Sequence, residues 1–249
     1  MELDGLDAID WSGVDHAYGP ATDVPGRLRS IAGPDGAARE RALWELSGSI
    51  HHQGTIYPAT ALAVPFLARI AVETAMPSGD RTMIVALLGA IAAGASTIQL
   101  RDEARDASAT NEIDPAVARQ LEAAIASRAA VGREAPALIA GLGGLDPQTD
   151  WRLAALAAQV PESAAAIVPI VGTLQRRSDD PRLQAALALT VGLVRGHLSR
   201  VDFDAAVAAI GPEEFAEADV PAGPESDGRA RLVAANLYEI AFDETHVGG

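Results

Sequence analysis

The sequence predicts an all-α protein, and two observations carry that prediction. Apolar residues recur at three- and four-residue steps through segments rich in Ala, Leu, Arg and Glu, which is the spacing of an amphipathic helix. Short stretches of Gly, Pro and Asp, such as Gly33-Pro34-Asp35-Gly36, separate these segments. The alternation of apolar and polar residues that predicts a strand is not evident in the sequence.

The pattern gives a series of predicted helices, each bounded by breakers or by a proline near its first turn. In chain order they are Val24–Ala32, Ala37–Leu46, Ala59–Thr74, Arg81–Ala93, Pro115–Ala130, Ala135–Gly141, Trp151–Val160, Ser163–Gln175, Pro181–Val194 and Gly228–Phe242.

The helices alternate in character along the chain. A proline in one helix is followed 10 to 15 residues later by an aspartate that heads the next helix. The four couples are Pro25/Asp35, Pro65/Asp80, Pro136/Asp150 and Pro169/Asp180, and Asp227 opens a fifth candidate. We expect each aspartate to cap its helix by accepting free backbone N–H groups. We expect Pro65 and Pro169, which lie deeper in their helices, to kink them.

Two of the second helices also share a local sequence. Asp150-Trp-Arg-Leu aligns with Asp180-Pro-Arg-Leu, 30 residues further on. These features resemble HEAT-like repeats over roughly residues 23–198, and the segments around Trp11 and His51 are similar to parts of bacterial HEAT-like proteins. The resemblance implies a right-handed α-solenoid of about five antiparallel helix pairs. It also implies a protein-binding scaffold, because stacked helix pairs expose a long concave face.

We predict that residues 1–249 form a single solenoid domain. An acidic cap segment, 1–22, precedes the core repeats of residues 23–200, which contain a loop insertion near 97–113. An acidic segment, 201–228, and a C-terminal helix, 228–242, complete this interpretation.

The composition excludes several kinds of chemistry. The chain contains no cysteine and no lysine, and all 19 of its basic residues are arginine. A thiolate nucleophile, a cysteine-bound zinc, a Schiff base and a phosphate-binding P-loop lysine are therefore excluded. The stretch that follows Met1 is acidic and lacks the apolar core of a signal peptide, so we expect a cytoplasmic protein that does not bind membranes.

The net charge of −15 is concentrated at the two ends of the chain. Residues 1–26 contain six acidic residues and no arginine, and residues 201–228 contain eight and none. Acidic ends repel phosphate backbones, so we predict no binding to nucleic acids. They serve either solubility or the recognition of a basic partner protein.

One stretch, Ser49-Ile-His-His-Gln-Gly-Thr-Ile-Tyr-Pro-Ala-Thr60, interrupts the Ala- and Leu-rich pattern. It falls between two predicted helices, where Gly54 permits a tight turn and Pro58 suits the next first turn. We expect Trp44 and Tyr57 to pack together beneath it. The candidate site residues are His51, His52, Gln53, Tyr57, Trp44, His16, Tyr18 and Trp11.

Three interpretations of this stretch stay open. Its polar side chains either satisfy backbone groups at a specialised junction, or contact a ligand or partner, or form a metal or catalytic site. Adjacent histidines point in different directions, which weakens the metal interpretation. We assign no catalytic residue, metal or cofactor.

Two functions follow. The first is a non-enzymatic scaffold or adaptor that binds a basic partner protein. Its binding face would be formed by arginines of the second helices: Arg39, Arg41, Arg81, Arg152 and Arg182. The alternative is an enzyme, or a small-ligand or metal-binding protein, that uses the loop from His51 to Tyr57. The sequence does not determine the oligomeric state.

Overall fold

The computed structural model describes residues 1–94 and 115–211, together with helical positions 233, 234, 237 and 241. Within these residues the chain forms nine α-helices, which confirms the predicted all-α class. The loop insertion predicted near 97–113 and most of the helix predicted at 228–242 lie outside the described residues. The chain divides into two compact units, Met1–Glu134 and Ala135–Gly249.

The elements are as follows. The α-helices are α1 (Val24–Ala32), α2 (Gly36–Ile50), α3 (Pro58–Glu73), α4 (Ser78–Ala93), α5 (Pro115–Leu142), α6 (Pro147–Ala158), α7 (Ala164–Arg177), α8 (Pro181–Val194) and α9 (Arg200–Ile210). Short 3-10 helices cover Leu6–Ala8, Trp11–Gly13 and Pro161–Ser163. Four two-residue strands are β1 (Asp15–His16), β2 (Gly19–Pro20), β3 (His51–His52) and β4 (Thr55–Ile56).

In the N-terminal unit, two helix pairs pack against each other. Helix α1 contacts α2 and α3, while α4 contacts α3 and α2. The core between them consists of fully buried aliphatic side chains such as Leu28, Leu43, Leu67 and Ile84. Because each helix is apolar on one side, the pairs bury those sides by packing together.

In the C-terminal unit, α8 is the central element. It contacts α6, α7 and α9, and its side chains Leu183, Leu187 and Leu189 are buried. Thr190 of α8 donates from Oγ1 to the backbone oxygen of Ala154 in α6, at 3.1 Å. The hydroxyl therefore satisfies its polar group inside an otherwise apolar contact.

Two of the four predicted caps are present and two are not. Asp35 accepts a hydrogen bond from the Ala38 N–H, and Asp180 accepts one from the Arg182 N–H, at 3.1 and 2.8 Å. Asp80 instead lies in the first turn of α4 and binds an arginine. Asp150 lies inside α6, whose cap is Asp146.

The cap of α6 explains the wrong assignment at Asp150. The Asp146 carboxylate accepts hydrogen bonds from the backbone N–H and the hydroxyl of Thr149, at 2.8 and 2.7 Å, and Pro147 follows it as the first helical residue. Helix α6 therefore begins four residues, about one turn, earlier than the alignment with α8 indicates. That extra turn places Asp150 within the helix.

Several other boundaries differ from the prediction. The segments predicted at Pro115–Ala130 and Ala135–Gly141 are one helix, α5, because the single Gly132 between them costs only about 1 kcal/mol in a helix interior. Helix α9 occupies the start of the segment predicted to be only acidic. The residue that marks the start of α9 in the sequence is Ser199, a typical helix cap. Its hydroxyl accepts a hydrogen bond from the Asp202 N–H at 3.1 Å.

The four strands form two antiparallel hairpins that the sequence analysis did not predict. In the first, His16 pairs with Gly19, and in the second, His52 pairs with Thr55. Strands of two residues are too short to show an alternating pattern, so periodicity could not reveal them.

Candidate functional site

The second hairpin accounts for most of the unusual stretch. Its two-residue turn consists of Gln53 and Gly54, with φ angles of 51° and 80°. Positive φ at both positions is the mark of a type I′ turn, which matches the twist of short hairpins. Gln53, a candidate site residue, is thus exposed at the tip of the hairpin.

The base of this hairpin is held by one hydroxyl group. Thr60 of α3 donates from Oγ1 to the backbone oxygen of Ile50 and accepts from the Tyr57 N–H at 3.0 Å. Thr60 is completely buried, and its hydrogen bond to Ile50 is shielded from water. The end of α2 and the start of α3 are therefore tied together beneath the hairpin.

The first hairpin docks on the end of α2. The Ala17 N–H donates to the backbone oxygen of Ser49 at 3.0 Å. Arg27 of α1 donates to the Ser49 hydroxyl at 2.9 Å and also pairs with Asp23 and Glu45, at 2.9 and 3.4 Å. These contacts bring the two hairpins side by side.

His16 has a structural role in this arrangement. It is 6% exposed, and its Nε2 lies 2.8 Å from Oδ1 of Asp23. Its Nδ1 accepts the Tyr18 backbone N–H at 3.0 Å, so the neutral ring carries its proton on Nε2 and donates it to Asp23. Since both ring nitrogens are occupied, His16 orients the first hairpin and has no nitrogen available for an external ligand.

His52 and Tyr18 meet at the surface between the hairpins. Their rings are edge to face with centroids 5.5 Å apart, and the Tyr18 hydroxyl lies 3.3 Å from His52 Nδ1. The same Nδ1 lies 3.1 Å from the backbone oxygen of Gly48, which can only accept. In the neutral ring this contact places the proton on Nδ1 and leaves Nε2 with a lone pair that can accept a hydrogen bond.

Trp44 extends this surface along α2. It lies one helical turn before Gly48 on the same face, and its side chain is 78% exposed, while that of Tyr18 is 69% exposed. A Cβ atom added at Gly48 would have nothing within 4 Å, so the space beside that residue is open. We refer to Tyr18, Trp44 and His52 as the aromatic patch.

The expected packing of Trp44 with Tyr57 beneath the loop is therefore wrong. Trp44 lies on the solvent side of α2, where helical geometry directs it away from the core. Tyr57 is half-buried at the start of α3. Trp11 is buried, and its indole Nε1 donates to the Leu6 backbone oxygen at 2.9 Å, so it seals the N-terminal segment and does not join the surface.

His51 lies apart from the aromatic patch. Adjacent strand residues point to opposite sides, so His51 and His52 diverge. His51 is half-buried, and this burial lowers its pKa below the ordinary histidine value. Among residues 1–94 and 115–211, no group of three or more His, Asp or Glu side chains is arranged to hold a metal ion.

The prediction that Arg39 and Arg81 belong to an exposed binding face is wrong. Arg39 is 4% exposed and donates to the backbone oxygens of Ile31 and Gly33, at 3.1 and 2.7 Å. Arg81 donates in the same way to Ala71 and Thr74. Arginines of the second helices thus cap the carbonyl ends of the first helices, where they complement the helix dipole.

Arg182 follows a related pattern, since it donates to the backbone oxygen of Ile210 at 3.3 Å. Arg41, in contrast, is exposed on α2. Arg39 and Arg81 are thus not part of an open binding face.

A second candidate site lies in the C-terminal unit, and sequence reasoning missed it. A cavity of about 310 Å³ opens between the loop before α6 and the loop before α8. Asp150 lines it, is 7% exposed, and accepts the Gly144 backbone N–H on Oδ1 at 2.7 Å. Burial raises the pKa of Asp150 to about 6, and the nearby Asp146 charge acts in the same direction.

The sequence feature that could have revealed this site is Asp146-Pro147. An aspartate followed by proline is the expected start of a helix, and recognising it would have left Asp150 without a capping role. A buried carboxylate without a capping role is a candidate for binding or chemistry.

No protein-family model matches this chain, and no curated protein or solved structure matches it. The resemblance to HEAT-like repeats therefore stays a prediction. No single helix in the described part of the chain is long and apolar enough to cross a membrane, and the adjoining segments Pro147–Ala158 and Pro161–Arg177, which reach that length together, are bent by 94°.

Proposed function

We propose that this chain is a non-enzymatic protein-binding module that recognises a basic segment of a partner protein through the aromatic patch. The observation that carries the proposal is the joint exposure of Trp44 and Tyr18, at 78% and 69%. Single exposed apolar side chains are ordinary, but here Trp44 lies one turn before Gly48, and the backbone oxygen of Gly48 lies 3.1 Å from the His52 ring that Tyr18 contacts. Trp and Tyr are also the residues most enriched at the energetic centres of protein interfaces.

The chemistry of the surrounding surface favours a cationic partner. The faces of Trp and Tyr rings attract guanidinium and ammonium groups, and His52 Nε2 can accept a hydrogen bond from them. Glu40 lies one turn before Trp44 on α2, and Asp15 is exposed on β1. Residues 1–94 contain eleven acidic residues and six arginines, and the resulting net charge of −5 adds a long-range attraction for a basic protein.

The scaffold in this proposal is a HEAT-like solenoid. The packing of α1 on α3 and of α2 on α4 supports it, because stacked repeats place equivalent helices in contact. The right-handed superhelix of about five helix pairs is part of the proposal, as is a cytoplasmic location, which the absence of cysteine favours. A solution scattering profile of the whole chain tests the solenoid: an extended curved shape is expected, and a compact sphere would contradict it.

The binding proposal is tested by affinity capture from the native cell extract with three baits. These are the unmodified protein, a Trp44→Ala/Tyr18→Ala variant, and a Val201→Ala control that shortens another exposed apolar side chain, 76% exposed on α9. We expect the unmodified protein and the control to retain the same basic protein, and the patch variant to lose it.

The captured protein is then purified and its affinity is measured by calorimetry at several salt concentrations. We expect a steep loss of affinity as salt increases, because charged surfaces attract each other over about 8–10 Å at physiological ionic strength. An acidic partner, or equal affinity of the patch variant and the control, overturns the proposal.

A further inference from the structure

We propose that the cavity beside Asp150 is a binding site for a guanidinium or ammonium group carried on an apolar stem. The site belongs to the C-terminal unit and is independent of the aromatic patch. Its volume of about 310 Å³ lies at the lower end of the usual range for small-ligand pockets, about 300–1,000 Å³.

The Asp150 carboxylate is the group that recognises the charge. It is more than nine-tenths buried and lines the cavity, and one of its oxygens, Oδ1, is bound by the Gly144 N–H. Within the residues that the structure describes, the other oxygen, Oδ2, receives no hydrogen bond. A buried carboxylate with one donor is poorly compensated, and a cation in the cavity would supply the missing hydrogen bond and the opposite charge.

The remaining walls suit a cation on an apolar stem. Leu174 and Leu183 form apolar walls, and Leu145, 58% exposed, stands at the rim. Asp146, Asp179 and Asp180 add negative charge around the opening. Both oxygens of Asp146 already bind Thr149, and Asp179 and Asp180 are more exposed than Asp150, so Asp150 is the buried carboxylate best placed to bind a ligand.

Among the described residues that line the cavity, Arg177 is the one cation. It is exposed in the last turn of α7, where its positive charge interacts favourably with the negative end of the helix dipole. A ligand cation would be repelled by it, so removing the Arg177 charge is expected to strengthen binding. This gives the site two substitutions with opposite expected effects.

The test uses n-butylguanidinium as the probe and the uncharged N-butylurea, which has nearly the same shape, as its matched control. Binding is followed by the NMR chemical shift of the Gly144 amide, because that group contacts Asp150 directly. We expect a saturable shift with n-butylguanidinium at pH 7.5 and none with N-butylurea. Equal shifts with both compounds, or no saturable shift at millimolar concentration, overturn the proposal.

Three variants and a change of pH complete the test. Asp150→Asn is expected to abolish the shift and Arg177→Gln to strengthen binding at least twofold, while Asp204→Asn on α9 leaves it unchanged. At pH 5 the affinity should fall about tenfold, because the proton competes with the ligand for a carboxyl group whose pKa is about 6. Binding that survives in Asp150→Asn, in a protein whose NMR spectrum shows it folded, contradicts the site.

A peptide arm identifies the source of the cation. A short peptide with one central arginine is compared with the same peptide carrying citrulline, which is uncharged. If the arginine peptide binds at least tenfold more tightly than n-butylguanidinium, the ligand is a side chain of a partner protein; equal affinity assigns the site to free small cations. We expect the Trp44→Ala/Tyr18→Ala variant to bind n-butylguanidinium as the unmodified protein does. The cation site at Asp150 and the protein-binding proposal can therefore be contradicted separately.

Discussion

Arg39 and Asp80 form a partly buried ion pair, with 3.1 Å between Nη1 of the arginine and Oδ2 of the aspartate. Their side chains are 5% and 21% exposed. The same guanidinium donates to the carbonyl groups of Ile31 and Gly33 at the end of α1. One side chain on α2 therefore connects three helices, which explains why an arginine is placed in the core of this unit.

We expect Arg39→Met to lower the free energy of unfolding by about 3 kcal/mol, because it leaves Asp80 and two carbonyl groups without their donor in a buried place. Chemical denaturation gives this difference directly. The control is Arg41→Met on the exposed side of α2, which should change stability by less than about 0.5 kcal/mol.

The double variant Arg39→Met/Asp80→Asn separates the ion pair from the carbonyl contacts. If the pair matters, the double variant is less destabilised than the sum of the two single variants, since neither charge is left alone. Strict additivity would contradict the coupling and assign the effect of Arg39 to the carbonyl groups of α1.

Two glycines near the second hairpin should respond in opposite ways to substitution by alanine. Gly54 has a φ of 80°, so Gly54→Ala should cost about 1 kcal/mol. Gly48 is helical with open space at its Cβ position, so Gly48→Ala should stabilise by about 0.5–1 kcal/mol. Thermal unfolding of both variants checks this, and stabilisation by Gly54→Ala would show that the turn is not type I′.

The pH dependence of the N-terminal unit should report His51. Burial lowers its pKa in the folded protein, so below about pH 6.5 the unfolded chain binds a proton that the folded chain does not. His51 therefore favours folding above pH 6.5, and this contribution is lost as the pH falls below that value.

We expect His51→Gln to reduce the loss of stability between pH 7.5 and pH 5, measured as the shift of the denaturation midpoint. Gln53→Ala, a substitution without a titratable group in the same hairpin, should leave the pH dependence as it is in the unmodified protein. Identical pH profiles for the protein and His51→Gln would contradict the assignment.

The parts of this fold that depend on local sequence were predictable. Asp35 and Asp180 cap their helices because the aspartate, its helix and the free N–H groups are neighbours in the chain. The bounds of α1 and α8 agree with the prediction for the same reason. The prediction that Asp150 caps α6 was wrong because two aspartates lie one turn apart, and either could cap the helix. Proline at position 147 favours Asp146, since proline is common as the first residue of a helix.

Features that depend on tertiary packing were not predictable. Trp11 and Trp44 look alike in the sequence, yet one is 5% and the other 78% exposed. The difference arises because Trp11 finds a backbone acceptor in Leu6, whereas Trp44 lies on the outer face of α2. The sequence singled out the residues of the aromatic patch, but only their placement shows that His16 is structural and that Tyr18 and His52 meet.

Asp150 should make the C-terminal unit less stable as the pH rises. Its pKa is about 6 in the folded protein against 3.8 for an ordinary aspartate, so between these values the folded chain holds a proton that the unfolded chain has lost. The protonated carboxyl group favours folding, and this contribution disappears above about pH 6. The neutral amide of asparagine keeps the acceptor for the Gly144 N–H without the buried charge.

We therefore expect Asp150→Asn to be more stable than the unmodified protein at pH 7.5, by about 2 kcal/mol, and nearly equal to it at pH 4. Urea unfolding at a series of pH values measures the difference, with Asp204→Asn on the exposed face of α9 as the charge-matched control. A less stable asparagine variant at pH 7.5 would mean that the carboxylate is stabilised where it lies. In that case the protein itself would already compensate the charge of Asp150, a cation in the cavity would gain little from binding to it, and the binding test at Asp150 should fail as well.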